Sequence, residues 1–338
     1  MNLDKLAETA RTLGAPGKGI LAADESSGTI KKRFDLIGLE SSLENRRDWR
    51  EMLFRTTEAM AEHVSGVILF DETIRQSAVD GTPLVKLIEA TGAIPGVKVD
   101  AGAKPLPGFP GETVTEGLDG LRDRLKEYHG LGARFAKWRA VIDIDASKPS
   151  PYVVAANMQA LARYAALCQE ADIVPIVEPE VLMDGAHGID RCDEVTEAVL
   201  TSLYMELRAS RVALEGTVLK PNMVIAGKKS PKQAGVEEVA EKTLRRLKAS
   251  VPQAVPTIAF LSGGQSDADA TAHLNAMNAK GPLPWRLTFS YGRALQAAPL
   301  KAWGKAKNVA AGQAAFLHRA RMNGLATKAK WQRQLETA

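Results

Sequence analysis

The chain has 338 residues, of which 45% are hydrophobic and 25% are charged. These are ordinary values for a folded protein, so they exclude a disordered or fibrous chain, and the length suits one large α/β domain. The formal net charge is only +4, and basic pairs such as Lys31-Lys32 and Arg245-Arg246 are interleaved with acidic residues. This pattern argues against a nucleic-acid partner and in favour of a small anionic substrate.

The amino-terminal segment, residues 1–14, predicts a short amphipathic helix because Asp4 and Glu8 interrupt its apolar positions. It differs from an export signal, and no apolar run reaches the roughly 18 residues that a membrane span requires. Cys168 lies in an apolar helical pattern and Cys192 stands among charged residues, so no disulfide framework is expected. We therefore expect a cytoplasmic protein with no membrane partner.

Eight short apolar runs recur at intervals of roughly 30 to 45 residues, and most segments between them have helical periodicity. This alternation predicts parallel βαβ units. Eight such units predict a single α/β domain, a (β/α)8 TIM barrel over residues 1–338, with a mobile tail from about residue 325. The expected strands are residues 19–23, 64–70, 96–99, 134–139, 173–177, 217–220, 257–261 and 286–290.

Turn and cap residues mark some of the intervening helices. Ser150-Pro151 is a cap and first-turn pair ahead of an apolar stripe, and a further helix is expected between Pro231 and Pro252. Residues 95–111 are rich in Gly and Pro, and we expect them to form a long loop at the rim of the barrel.

In a barrel of this kind the carboxyl ends of the strands meet at one face, where the active site lies. Nearly every predicted strand ends in a polar or charged residue, so these side chains are expected to converge on one cup. The end residues are Asp24, Glu72, Lys98, Lys137, Arg139, Glu178, Glu180, Lys220, Ser262 and Arg293.

Lys220 follows the strand-like residues 216–219, so its side chain is expected to leave a buried strand. A lysine attacks a carbonyl group only as the neutral amine, and burial beside a second cation favours that form. Lys137, at the end of an earlier strand, is the candidate for the second cation. The alternative is a lysine whose stem is buried while its charge stays in solvent.

Two further motifs supply carboxylates. Glu178-Pro179-Glu180 places two acids on the same side of an extended chain, and mutual repulsion with burial is expected to raise the pKa of one of them. Such an acid suits proton transfer at Lys220, although the motif is also a simple turn signal. Asp24 is a candidate base after the first strand, and helix capping is the alternative role for its segment.

A phosphate site is indicated at the last two strand ends. Ser262-Gly263-Gly264 is typical of a loop in which backbone N–H groups approach an anion. Ser290 and Arg293 follow the next strand and would add a hydroxyl and a guanidinium group. Adjacent loops late in a barrel often bind phosphate together.

Metal chemistry is not expected, and no cofactor is implied. The five histidines are isolated in the sequence, with no pair at ligand spacing and no cluster with cysteine. They are His63, His129, His187, His273 and His318.

Taken together, these motifs resemble the class I fructose-1,6-bisphosphate aldolases, the glycolytic family that forms a Schiff base on a lysine. The resemblance covers nearly the whole chain, and its motifs occur in the same order. It is carried by residues 19–26, 66–70, 98–100, 135–139, 174–180, 219–224, 260–266 and 287–293.

The resemblance implies reversible, metal-free cleavage of fructose 1,6-bisphosphate into dihydroxyacetone phosphate and glyceraldehyde 3-phosphate by a homotetramer. It implies that Lys220 forms the Schiff base, that Glu178 is its acid/base partner and that Asp24 takes the C4 hydroxyl proton. Lys137 and Glu180 would support charge and proton transfers. The implied substrate-binding residues are Thr29, Arg33, Arg46, Lys98, Arg139, Ser262, Gly263, Gly264, Ser290 and Arg293.

The chain also departs from the family. Thr29, Arg75 and Ala101 stand where related sequences commonly have serine, tyrosine and lysine. Many animal and plant members end in a tyrosine that reaches the active site, whereas the last tyrosine here is Tyr291. The alternatives that remain are another ketose bisphosphate, a transaldolase-like Schiff-base enzyme and a non-catalytic phosphate-binding scaffold.

Overall fold

The computed structural model describes residues 1–337, and its centre is a closed barrel of eight parallel strands. The strands are β1 (Gly19–Ala23), β2 (Val64–Leu69), β3 (Ile94–Lys98), β4 (Ala103–Pro105), β5 (Thr113–Thr115), β6 (Phe135–Ile142), β7 (Val174–Val181), β8 (Val218–Leu219), β9 (Thr257–Phe260) and β10 (Arg286–Tyr291). Around the barrel the order is β1, β2, β3, β6, β7, β8, β9 and β10, while β4 and β5 form a separate hairpin. The predicted (β/α)8 fold is confirmed.

Helices surround the barrel and follow most of its strands. They are α1 (Leu3–Leu13), α2 (Ser27–Asp35), α3 (Leu43–Phe54), α4 (Thr57–His63), α5 (Asp71–Ile74), α6 (Leu84–Ala90), α7 (Leu121–Gly130), α8 (Pro151–Glu170), α9 (Ile189–Ala209), α10 (Val236–Ser250), α11 (Asp267–Ala279), α12 (Arg293–Trp303) and α13 (Val309–Ala326). The hydroxyl of Ser150 accepts a hydrogen bond from the backbone N–H of Val153 at 3.2 Å, which caps α8 where the sequence predicts its start.

The amino end of the barrel is closed by apolar packing. Leu6 and Leu13 of α1 join a buried cluster with Phe135 and other inward-facing strand residues. A side-chain carbon added at Gly96 would overlap the ring of Phe135, so this strand position accommodates only glycine. Because this end of the barrel is filled by apolar groups, polar chemistry is restricted to the opposite, carboxyl end of the strands.

Two strands extend further than the sequence predicts. β6 continues past Arg139, which was expected as its last residue, and β7 continues past Glu180, which was expected after its end. Alternate residues of a strand face the same side, which allows a strand to carry charged groups into the mouth of the barrel.

The rim segment also differs from its prediction. Residues 95–111 were expected to form one long loop, but Ala103–Pro105 forms β4 and pairs with β5. Lys104 lies opposite Val114 in this antiparallel ladder. Backbone hydrogen bonds therefore order part of the rim, and the Gly and Pro content of the segment did not predict this pairing.

The carboxyl-terminal segment packs against the barrel in the part of the chain that is described. Trp331 is 8% exposed, and its indole N–H donates to a carboxylate oxygen of Glu336 at 3.0 Å. Glu336 also forms an ion pair with Arg319, a buried residue of α13. The mobility expected of the tail stays a prediction, and Ala338 lies outside the described residues.

Within residues 1–337, no helix is both long enough and apolar enough to span a membrane. Cys168 and Cys192 are buried free thiols.

Candidate active site

A cavity of about 300 Å³ opens at the carboxyl ends of the barrel strands. It brings together every predicted catalytic and binding residue except Arg46 and Gly264. A larger cavity, of about 690 Å³, lies on the outer surface near the carboxyl ends of α9 and α10, but its lining contains no lysine. The predicted residues that line the barrel cavity are Asp24, Thr29, Arg33, Lys98, Lys137, Arg139, Glu178, Glu180, Lys220, Ser262, Gly263, Ser290 and Arg293.

Lys220 lies directly after β8, at the floor of this cavity. Its backbone N–H donates to the carbonyl oxygen of Val177 at 2.8 Å, which continues the pairing of β8 with β7 and fixes the direction of the side chain. The residue is only 4% exposed, and Nζ lies 3.1 Å from Glu178 Oε1. The alternative of a lysine with a solvated charge therefore does not hold.

Glu178 and Glu180 both lie in β7 with one residue between them, so they face the same side of the strand. They have different partners. Glu178 lies between two lysines, because its Oε2 is 3.2 Å from Lys137 Nζ. Glu180 forms an ion pair with Arg139 across the β6–β7 ladder. The two acids therefore serve two different parts of the cavity.

Lys137 connects the lysine–glutamate pair with Asp24. Its Nζ lies 2.7 Å from Asp24 Oδ2, and the residue is 4% exposed. Four charged groups thus form a row in the order Asp24, Lys137, Glu178 and Lys220. Asp24 follows β1, Lys137 and Glu178 lie in β6 and β7, and Lys220 follows β8. Opposite charges alternate along the row, so each buried charge has a compensating neighbour.

The alternating charges determine the protonation of the acids. Burial opposes the ionised form of Asp24, but attraction to Lys137 and Lys220 is stronger and lowers the pKa of Asp24 to about 2. Burial also opposes ionisation of Glu178, and the same two lysines lower its pKa below the usual value. For Lys137, burial is outweighed by Asp24 and Glu178, which raise the pKa of its ammonium group.

This result narrows one expectation from the sequence. The sequence did not say which of the two acids has the raised pKa, and Glu178 does not. Burial is the largest single influence on Glu178, but Lys137, Lys220 and Arg139 together outweigh it and lower its pKa. Asp24, Lys137 and Glu178 are consequently all ionised near neutral pH in the free cavity.

The predicted phosphate loop follows β9 and lies beside the start of α12. The side chain of Arg293, the first residue of α12, donates to the carbonyl oxygen of Ser262 at 3.1 Å and pairs with Asp267 at 3.1 Å. Gly264 has a φ of +78°, a conformation that favours glycine. The hydroxyl of Ser290 is buried and has no hydrogen-bond partner within residues 1–337, so it is free to bind a ligand.

Two further cationic side chains line the cavity. Lys98 lies 2.6 Å from Asp100, and Arg33 pairs with Glu25. The hydroxyl groups of Thr29 and Ser26 are 3.2 Å apart. Cationic and hydroxyl groups therefore line the same cavity as Lys220.

The structure does not place Arg46 on the cavity wall. Its guanidinium group donates to the carboxylate of Glu72 at 2.8 and 2.6 Å and to the carbonyl oxygen of Ser41 at 2.6 Å. Glu72, which was predicted at the end of a strand, lies in the short helix α5 and holds Arg46 away from the other groups. Gly264 follows Gly263 but does not line the cavity.

Some cavity residues were not predicted from the sequence. Glu25 and Ser26 belong to the same motif as Asp24, so their position beside it was an available signal. Gly292 also lines the cavity, one residue before Arg293. Asp100 forms an ion pair with Lys98. Because the two residues are separated by one position in an extended segment, the sequence could have predicted that their side chains lie on the same side.

Comparisons with known proteins agree with this arrangement. A family model described as fructose-bisphosphate aldolase class-I matches residues 5–338. A probable fructose-bisphosphate aldolase class 1 from Xanthomonas axonopodis pv. citri is 58% identical over 98% of this chain and 99% of that protein. A cytosolic fructose-bisphosphate aldolase from Arabidopsis thaliana is 54% identical over 97% of this chain and 92% of that protein.

A solved structure is similar as well. The fructose-bisphosphate aldolase of Plasmodium falciparum superimposes with a TM-score of 0.95 at 49% identity, covering 98% of this chain and 96% of that chain. The family match and the relatives extend over almost the entire sequence, including every strand of the barrel and all the residues of the cavity. The chain belongs to the class I fructose-bisphosphate aldolase family.

Proposed function

We propose that the chain cleaves fructose 1,6-bisphosphate reversibly into dihydroxyacetone phosphate and glyceraldehyde 3-phosphate through a Schiff base on Lys220, as a step of glycolysis and gluconeogenesis. The observation that carries the proposal is the buried row of Asp24, Lys137, Glu178 and Lys220 at the floor of the cavity. Relatives that are more than half identical to the chain are named fructose-bisphosphate aldolases.

Imine formation begins with transfer of a proton from Lys220 Nζ to the ionised carboxylate of Glu178, which lies 3.1 Å away. The neutral amine then attacks the C2 carbonyl carbon of the ketose to give a carbinolamine. Glu178 returns its proton to the C2 hydroxyl group, which leaves as water and generates the iminium ion. One carboxylate thus acts first as base and then as acid.

Cleavage of the C3–C4 bond requires removal of the C4 hydroxyl proton. Asp24, kept ionised by Lys137 and Lys220, accepts that proton while the bonding electrons move towards the iminium nitrogen. Glyceraldehyde 3-phosphate leaves, and the remaining enamine takes a proton at C3 from water while Asp24 gives up its proton to solvent. The iminium ion that results is hydrolysed to dihydroxyacetone phosphate and free Lys220. Lys137 stabilises the negative charges on both of its neighbours.

Four cationic side chains besides Lys137 and Lys220 line the cavity, which suits a substrate with two phosphates; they are Arg33, Lys98, Arg139 and Arg293. Arg293, Ser262 and Ser290 are proposed to bind the phosphate on the dihydroxyacetone side. Lys98 and Arg33 are proposed to bind the distal phosphate, and Arg139 with Glu180 contacts the sugar between them. Two phosphate sites favour a bisphosphate lyase over a transaldolase-like enzyme.

The function is tested by an assay of both products after exhaustive treatment with EDTA. We expect cleavage of fructose 1,6-bisphosphate to survive unchanged, because the iminium ion supplies the electron sink that a divalent cation would otherwise provide. Activity that is lost with EDTA and restored by zinc would contradict the proposal.

The two phosphate sites can be distinguished with two substrates. Arg293→Ala is expected to raise KM by about tenfold or more for both fructose 1,6-bisphosphate and fructose 1-phosphate, because it removes a charged hydrogen-bond donor. Lys98→Ala should raise KM for the bisphosphate selectively. Steady-state kinetics on both substrates measures the difference, and equal effects of Lys98→Ala on the two would remove Lys98 from the distal site.

A homotetramer is proposed on the basis of the family resemblance. Light scattering of the purified chain should give about four times the chain mass of 36.3 kDa. A mass close to that of one chain would contradict a tetramer.

We also propose a cytoplasmic location. It is supported by relatives from Arabidopsis thaliana that are named cytosolic and by a substrate that is an intermediate of central metabolism. Recovery of the chain in a membrane fraction of its host cells would contradict this location.

A further inference from the structure

A buried amide lies behind the strand end that carries Asp24. Gln296, in α12, is only 1% exposed and does not line the cavity. Its Nε2 donates to the carbonyl oxygen of Ala22 at 2.7 Å and to Oε1 of Glu25 at 2.8 Å. Trp49 Nε1 donates to Gln296 Oε1 at 3.3 Å, which defines the orientation of the amide. Gln296 therefore holds the residues on both sides of Asp24.

A second buried group acts on the same segment. Arg50 is 0% exposed and donates to the backbone carbonyl oxygen of Glu25 at 2.9 Å. The carboxylate of Glu25 also accepts from Arg33. Arg50 of α3 and Gln296 of α12 thus both donate hydrogen bonds to the segment around Asp24. The carboxylate of Glu25 compensates the positive charges of Arg33 and Arg50.

The segment needs this support because the ladder ends before it. β1 pairs with β2 as far as Ala23 and with β10 only at Ile20 and Leu21, so no strand pairing holds the backbone of Asp24. Its carboxylate nevertheless lies 2.7 Å from Lys137. A displacement of about 1 Å in a catalytic group can reduce a rate by about 10²-fold, so the position of this backbone matters for proton transfer.

We propose that Gln296 is a positioning residue for the aldol cleavage step. It keeps the backbone around Asp24 in the conformation that directs the carboxylate towards Lys137 and the C4 hydroxyl group. The inference rests on the proposed function and adds a residue outside the cavity that no sequence motif identified. Gln296 acts through Asp24 and contacts no substrate.

The two half-reactions separate this role from a general structural one. Dihydroxyacetone phosphate has no C4, so its Schiff base on Lys220 forms without Asp24. Gln296→Met keeps the volume of the side chain and removes both donors. We expect kcat for fructose 1,6-bisphosphate to fall by about ten- to a hundredfold with little change in KM. Borohydride trapping of dihydroxyacetone phosphate should stay within about twofold of the unmodified chain, since the Lys220–Glu178 contact is untouched.

Gln169→Met is the matched control. Gln169, in α8, is 2% exposed, and its Nε2 donates to the carbonyl oxygens of Ala213 and Gly216 at 2.7 and 3.3 Å. These carbonyls precede β8, at the end of the barrel opposite to the cavity. The control loses the same kind of hydrogen bonds, so we expect a similar loss of thermal stability and an unchanged kcat per folded molecule.

Unchanged kcat in folded Gln296→Met, or equal losses of kcat and trapping, would overturn the inference. If this variant does not fold, Trp49→Phe removes the bond that orients the amide, together with part of the packing against Trp303. We expect kcat per folded molecule to fall by about threefold with unchanged trapping. Unchanged kcat there would overturn the inference as well. Failure of the unmodified chain to trap dihydroxyacetone phosphate would instead contradict the proposed function itself.

Discussion

Replacement of Lys220 by methionine is expected to reduce kcat for fructose 1,6-bisphosphate by about 10⁴-fold or more, because no other amine occupies the position 3.1 Å from Glu178 Oε1. Methionine fills the same buried volume, and β8 keeps its pairing with β7 and β9. Binding of the bisphosphate should persist, since the cationic and hydroxyl side chains proposed to bind the phosphates are retained. The measurement combines steady-state kinetics with direct titration of substrate binding.

Lys228→Met provides the control for loss of a lysine. Lys228 pairs with Asp184 at the surface and lies outside the cavity, so its replacement should leave kcat unchanged. A Lys220→Met variant that folds and retains kcat within tenfold of the unmodified chain would contradict nucleophilic catalysis by Lys220.

Replacement of Lys137 by methionine is expected to have the second-largest effect, a fall in kcat of about 10²- to 10³-fold. Lys137 is the cation nearest to Asp24 and also contacts Glu178. Without it, burial raises the pKa of both acids, and Asp24 is no longer ready to accept the C4 hydroxyl proton.

The sign of the pH effect follows from these shifts. In the unmodified chain Asp24 has a pKa of about 2, so it is ionised at every pH at which the protein is normally assayed. Its pKa is below the ordinary value of 3.8, so its contribution to stability is present above that value and is lost as pH falls towards about 2. In Lys137→Met the pKa of Asp24 is expected to be higher, so kcat/KM should begin to fall at a higher pH than in the unmodified chain as the solution is made more acidic.

The profile should be recorded for both proteins from mildly acidic to mildly alkaline pH. Superimposable profiles would show that Lys137 does not control the ionisation of Asp24. Trapping of dihydroxyacetone phosphate in the same variant reports on Glu178, which keeps its 3.1 Å contact with Lys220 but loses its contact with Lys137.

The sequence was sufficient to predict the barrel and the centre of the site. Eight apolar runs separated by helical segments define the barrel, and the bounds of β1 are the predicted ones. Because parallel strands bring their carboxyl ends together, polar residues at those ends had to converge, as Asp24, Lys137, Glu178 and Lys220 do. The roles of these residues remain predictions until they are measured.

Other features depend on contacts that a linear pattern does not contain. Arg46 matches a binding position in sequence, but its guanidinium group donates to Glu72 at 2.6 Å and does not line the cavity. Gln296 is separated from Ala22 by 274 residues, and an amide on a helix gives no local signal of such a contact. The direction of the pKa shift of Glu178 depends on two lysines from different strands, so it required their positions in three dimensions.

The central claim is that Lys220 forms an iminium ion with the ketose, and borohydride trapping tests it most directly. The protein is incubated with dihydroxyacetone phosphate, reduced with borohydride, digested and mapped by mass spectrometry. Only an iminium ion is reduced to a stable amine, so we expect the substrate mass on one peptide, the one that contains Lys220. A labelled peptide that lacks Lys220, or no label while the chain cleaves the bisphosphate, would contradict the account.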